Sequence, residues 1–123
     1  MEFDELSNKI IGCAIEVHKN LGAGLLESAY EQCLSYELRA KGIKHEIQKE
    51  LPINYEGLDL KAGYKLDVIV EDSVIIELKS VEKILPIHEA QILTYMKLAG
   101  MRVGLLINFN VNKLKDGIKR FVL

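Results

Sequence analysis

The sequence predicts an α/β (α+β) domain, a central mixed sheet flanked by helices. Three observations point there. Apolar residues recur at helical spacing over the first forty residues and again over 86–99. Between these stretches the period changes to two. A short apolar run, 102–108, follows the late helix and suits a buried strand.

The first helix carries Leu6, Ile10, Cys13, Ala14, Val17 and Leu21 on one side, with Asp4 placed to cap it. Gly22-Ala23-Gly24 breaks the run, and a second helix follows with Leu26, Ala29, Tyr30, Cys33, Leu34 and Leu38 on one side. Gly42 is set to end it, behind Arg39 and Lys41. Ile43, His45, Ile47 and Lys49 then alternate with Lys44, Glu46, Gln48 and Glu50, until Pro52 ends the strand. Residues 51–55 and 58–62 flank Glu56-Gly57, a hairpin turn. Residues 64–70 and 74–79 are the two strongest strands, joined by Glu71-Asp72-Ser73. Pro86 opens the late helix and Gly100 closes it. Residues 118–122 add an edge strand.

A chain of 123 residues is one domain's worth, here 1–123, and long enough to bury a core without disulfides. Hydrophobic residues at 49% and charged residues at 28% exclude disordered and fibrous classes. No apolar run approaches the ~20 residues of a membrane span. The acidic start, Met1-Glu2-Phe3-Asp4-Glu5, is unlike a signal peptide, so the expected address is cytoplasmic, with no membrane partner. A net charge of −2 gives no bulk attraction to nucleic acid. The one basic cluster is Lys113, Lys115, Lys119 and Arg120, and its simplest reading is a solvated surface. Cys13 and Cys33 fall on apolar helical positions and are expected to be buried free thiols.

The chemistry-bearing residues sit on the two central strands. Glu77 and Lys79 are two apart and share a strand face. A three-residue loop 71–73 pairs Val70 with Val74 and sets Asp67 across from Glu77, with Lys65 across from Lys79; a two-residue loop would send Glu77 to the other face from Asp67. Two facing carboxylates repel, and a divalent cation would relieve them. An ordinary solvated face with diagonal Lys–Glu pairing is the competing reading. Glu27 stands in the first turn of the second helix, where the helix dipole alone explains an acid, and Tyr30 shares its face. His88, Gln91 and Tyr95 form a polar stripe on the late helix, lining a site or marking its solvent edge. No zinc spacing, phosphate loop or Ser-His-Asp set is present.

Asp67 followed by Glu77-Leu78-Lys79 resembles the PD-(D/E)xK nuclease motif, and Gly24-x-x-Glu27-x-x-Tyr30 resembles the signature of the GxxExxY protein family within that superfamily. GAGLLESAY (22–30), DVIVEDSVIIELK (67–79), AQILTY (90–95) and GLLINF (104–109) follow the family's order, so the likeness spans nearly the whole chain. Leu66 departs from the motif's Pro, at a position that varies widely in the superfamily. The resemblance implies a restriction-endonuclease-like αβββαβ core and a Mg²⁺ or Mn²⁺ site with Asp67 and Glu77 as ligands and Glu27 completing the shell. It implies that Lys79 orients or activates the attacking water, and that Gln91 occupies a polar catalytic position with Tyr95 one turn later; Tyr30, His88 and Tyr95 are candidates to line the site. The implied activity is phosphodiester hydrolysis of DNA or RNA by a metal-activated water. The alternative is a non-catalytic nucleic-acid- or protein-binding module retaining the fold. A homodimer or protein partner supplying the substrate-binding surface is a further expectation. Many such proteins are small and prokaryotic.

Overall fold

The computed structural model describes residues 4–61 and 63–123. The expectations for residues 1–3 and for Ala62, the last residue of the 58–62 segment, lie outside the described residues. The chain forms helices α1 (Glu5–Leu21), α2 (Glu27–Ala40) and α3 (Pro86–Ala99). Its strands are β1 (His45–Glu50), β2 (Ile53–Tyr55), β3 (Leu58–Leu60), β4 (Lys65–Val70), β5 (Val74–Lys79), β6 (Val103–Asn108) and β7 (Ile118–Val122). A 3₁₀ turn, Leu114–Gly117, precedes β7.

Five strands make the main sheet in the order β1-β4-β5-β6-β7. β5 and β6 are parallel and joined through α3; the other neighbours are antiparallel. The sequence α2-β1-β4-β5-α3-β6 is the αβββαβ core that the resemblance implies. α1 precedes it, β7 extends its edge, and the ribbon β2–β3 is inserted between β1 and β4. That ribbon turns at Glu56-Gly57, where φ values of 49° and 86° match the type I′ geometry that fits the twist of paired strands.

The helices form because each has an apolar stripe and a defined end. Asp4 caps α1, its side chain accepting from the Ser7 N–H at 2.8 Å. Arg120 of β7 reaches the same carboxylate at 2.7 Å, tying the last strand to the first helix. α1 and α2 cover one sheet face: Ile10, Ala14, Val17, Leu34 and Leu38 pack with Val68, Val70, Ile76, Leu105 and Ile107. α3 covers the other, with Ile92 and Met96 against Ile69, Ile75 and Leu106. Gly104 allows that approach, since a Cβ there would stand 2.6 Å from Met96 Sδ. Cys13 is buried as expected, while Cys33 is half-buried; both are free.

Among the described residues, no helix is long and apolar enough to cross a membrane. The basic cluster does not assemble as one patch. Lys119 is bonded to Glu89 on α3 at 2.6 Å, whereas Arg120, the next residue, turns to Asp4 on the α1 side. Adjacent strand residues point to opposite faces, which is why the run of cations in sequence divides in space.

Candidate active site

The loop between β4 and β5 has the three residues Glu71-Asp72-Ser73, and Val70 pairs with Val74 as expected. The paired positions end at Val68–Ile76. Beyond that point the register would oppose Asp67 to Glu77, but side chains replace the backbone ladder. The Asp67 N–H donates to Glu77 Oε1 at 3.3 Å, and the Leu78 N–H donates to Asp67 Oδ2 at 2.9 Å. The expected Lys65–Lys79 pairing is therefore absent from the ladder.

β4 also slips in its alternation here. Leu66 packs in the α3-side cluster, whereas Val68 and Val70 pack on the α1/α2 side. A regular strand would put all three on one face. Asp67 thus occupies the seam between the two faces instead of sharing one with Ile69. Glu77 is buried here and Asp67 is half-buried. Separated strands free backbone N–H groups that the carboxylates then accept, and a buried anion without such donors is costly.

Glu77 is 5% exposed. Burial pushes its carboxyl up to about 8, and the neighbouring Asp67 charge adds to that, against the opposing influence of Lys79. Among the described residues no Lys or Arg forms an ion pair with either acid. Lys79 is half-buried at the end of β5, beside Asn108 in the parallel ladder.

Two residues that sequence reasoning missed complete the cluster. Gln48 of β1 donates its amide to Glu31 Oε1 of α2 at 2.5 Å and to Asp67 Oδ1 at 3.4 Å. Glu31 is buried, and burial raises its carboxyl, with Asp67 adding to the rise and the Gln48 amide opposing it. A signal for Glu31 existed: it lies on the Leu34/Leu38 stripe of α2, where a charge is out of place. Gln48 carried no signal, since alternation assigns it to the solvent face; its φ of 52° interrupts that alternation.

The remaining expected residues fall as follows. Glu27 opens α2 and is exposed, beside Ser80 across a shallow concavity, one turn before Glu31 on the same helix face. Tyr30 is fully buried, stacked on Phe109 at 4.3 Å; its hydroxyl donates to Gly22 O and accepts from the Leu25 N–H, holding the glycine loop closed. His88 accepts from the Leu85 N–H at the start of α3. Gln91 donates to the Tyr95 hydroxyl at 3.2 Å, and Tyr95 lies close enough to Glu77 and Asp67 that their charges, after burial, disfavour its phenolate. Among the described residues, no three His, Cys, Asp or Glu side chains stand together as a ready-made metal cluster. The centre is a pair of carboxylates, Asp67 and Glu77, with Lys79 beside it, Glu31–Gln48 behind Asp67 and Tyr95 near Glu77.

The geometry can be set against known proteins. No curated protein and no solved structure matches the chain. A family model described as the PD-(D/E)XK nuclease superfamily, whose members generally work with divalent metal ions on nucleic acid, matches residues 4–121. That match covers both central strands and every helix, and the chain belongs to the PD-(D/E)XK nuclease superfamily.

Proposed function

We propose that this chain is a Mg²⁺- or Mn²⁺-dependent phosphodiesterase of the GxxExxY group, a nuclease-like hydrolase acting on DNA or RNA. The observation that supports this reading is the Asp67–Glu77 pair: a half-buried and a buried acid tied together through backbone N–H groups, with no ion-pair partner among the described residues. The donors fit a hard divalent cation, which takes one or two carboxylates and leaves positions for waters and phosphate oxygens. Asp67 and Glu77 would hold it; Glu27, exposed at the start of α2, is not gathered with them into a three-acid set. When bound, the cation supplies Lewis acidity, lowering the pKa of a water and neutralising phosphate charge.

The chain's own residues do the positioning. The Leu78 and Asp67 N–H groups each fix one carboxylate oxygen. The Gln48 amide, anchored on Glu31, steadies the other oxygen of Asp67. Lys79 orients the attacking water and stabilises negative charge that develops on the phosphate. Gln91 fixes the Tyr95 hydroxyl at the rim.

Calorimetric titration of Mn²⁺ into the wild type and Asp67→Asn tests this. The wild type should give binding heat and Asp67→Asn should lose it. A wild type without binding heat favours the other reading, a binding module that keeps the fold without catalysis. The net charge of −2 and the ion-paired Lys119 and Arg120 are the observations on that side.

A further inference from the structure

The ribbon β2–β3 and the residues that follow it bring a second tyrosine to the carboxylate centre. Glu50 at the end of β1 pairs with Lys65 at the start of β4, so the ribbon leaves the sheet at the end that carries Gln48 and Asp67. Tyr64 lies at that junction, its carbonyl accepting from the Leu51 N–H at 2.9 Å. Its ring meets Tyr95 of α3, with centroids 6.3 Å apart and planes at 58°. Such a tilted contact is an attractive aromatic geometry and fixes both rings. Tyr64 remains 46% exposed, so a ring anchored on Tyr95 is offered to solvent.

Charge on β1 and its neighbours is mixed rather than basic. Duplex binding draws on a basic stripe along the phosphates. Here Lys65 stands opposite Glu50, Lys49 is bonded to Glu46 and Asp72, and Glu31 lies behind Asp67. Stacking of an unpaired base on an aromatic ring needs no such stripe.

We propose that Tyr64, braced by Tyr95, is a stacking platform for an unpaired nucleobase, and that the substrate class of the Asp67–Glu77 centre is single-stranded nucleic acid. This rests on reading the acid pair as a hydrolytic centre.

The chain has no tryptophan, so Tyr64→Trp introduces a single indole whose emission can be excited apart from the tyrosines. The experiment titrates labelled twelve-nucleotide oligothymidylate, oligouridylate and a duplex of equal length, in EDTA, reading anisotropy and the indole emission. Single strands should bind more tightly than the duplex and quench the Tyr64→Trp emission. Tyr64→Ala should weaken single-strand binding about tenfold. Tyr36→Ala, an equally simple loss of an exposed tyrosine on α2, should not. Comparison of the two single strands assigns DNA or RNA. Duplex binding as tight as single-strand binding, or an unchanged affinity in a folded Tyr64→Ala, overturns the proposal. Mn²⁺ heat in Tyr64→Ala separates the two failures: retained heat with unchanged oligonucleotide affinity sinks only the platform, whereas no heat in the wild type sinks the hydrolytic centre.

Discussion

Asp67 and Glu77 show how two residues that repel can be a fixed part of a fold. Each acid takes one backbone N–H that the shortened β4–β5 ladder releases, so part of the cost of burial is met locally. The remainder appears as the raised carboxyl of Glu77, about 8 against an ordinary 4.5. Between those values the folded, metal-free chain holds a proton that the unfolded chain has given up. Glu77 therefore contributes stability that is complete below pH 4.5 and is lost as the pH rises through about 8. Thermal unfolding in EDTA should show a Tm lower by on the order of 10 °C at pH 9 than at pH 5. Glu77→Gln, which needs no proton, should flatten that dependence, and Mn²⁺ at pH 8 should raise the wild-type Tm by favouring the ionised pair. A wild-type Tm that is level across this range would show that Glu77 is ionised without help, and that the pair is not strained.

At the scale of elements, β7 and α1 are coupled through Asp4. Its carboxylate caps α1 and also meets Arg120, and the Ser7 backbone N–H leads in holding its carboxyl down to about 2. A group lowered in this way contributes stability above its ordinary 3.8 and loses it as the pH falls toward 2. The carboxylate is partly exposed, so the cap dominates and the ion pair adds little. Asp4→Ala should cost about 1 kcal/mol in chemical denaturation at pH 7, and Asp4→Asn, which keeps a capping oxygen, distinctly less. Equal losses in the two variants would transfer the effect to Arg120. This cap was legible in the sequence, as were the helix stripes, the Glu56-Gly57 turn and the three-residue loop, because each depends on neighbours a few positions away. The register argument that opposed Asp67 to Glu77 was also local. The slip at Leu66–Val68 and the left-handed Gln48 were not legible, since they arise where β1, β4 and α2 meet and no short window contains all three; Glu31 was legible only as a charge on the apolar stripe of α2, not as a partner of Gln48. The same holds for Tyr64, which looks like a strand residue until α3 brings Tyr95 against it.

At the scale of the whole molecule, the distribution of charge decides what the domain can bind by electrostatics alone. The C-terminal cations are the only run in sequence that suggests a phosphate-binding surface, and the fold engages two of the four in ion pairs of its own. Lys119 is held by Glu89 and lies 5.6 Å from the Phe121 ring centroid, Arg120 is turned to Asp4 across the sheet, Lys113 precedes the 3₁₀ turn and Lys115 lies within it. The net charge of −2 adds no bulk attraction to phosphate. Reversing Lys115 and Lys119 to Glu should therefore leave oligonucleotide affinity within about twofold of the wild type. The salt dependence of binding should stay shallow, since its slope counts the phosphates neutralised by cationic side chains. Anisotropy titrations over a range of salt concentrations measure both quantities together. Lys119→Glu places a second acid against Glu89, so its Tm must be followed alongside; Lys115→Glu alone carries the test if the double variant unfolds. A tenfold loss of affinity with a folded protein, accompanied by a shallower slope, would restore the C-terminal patch as the nucleic-acid surface and would place the substrate path along β7 rather than over Tyr64.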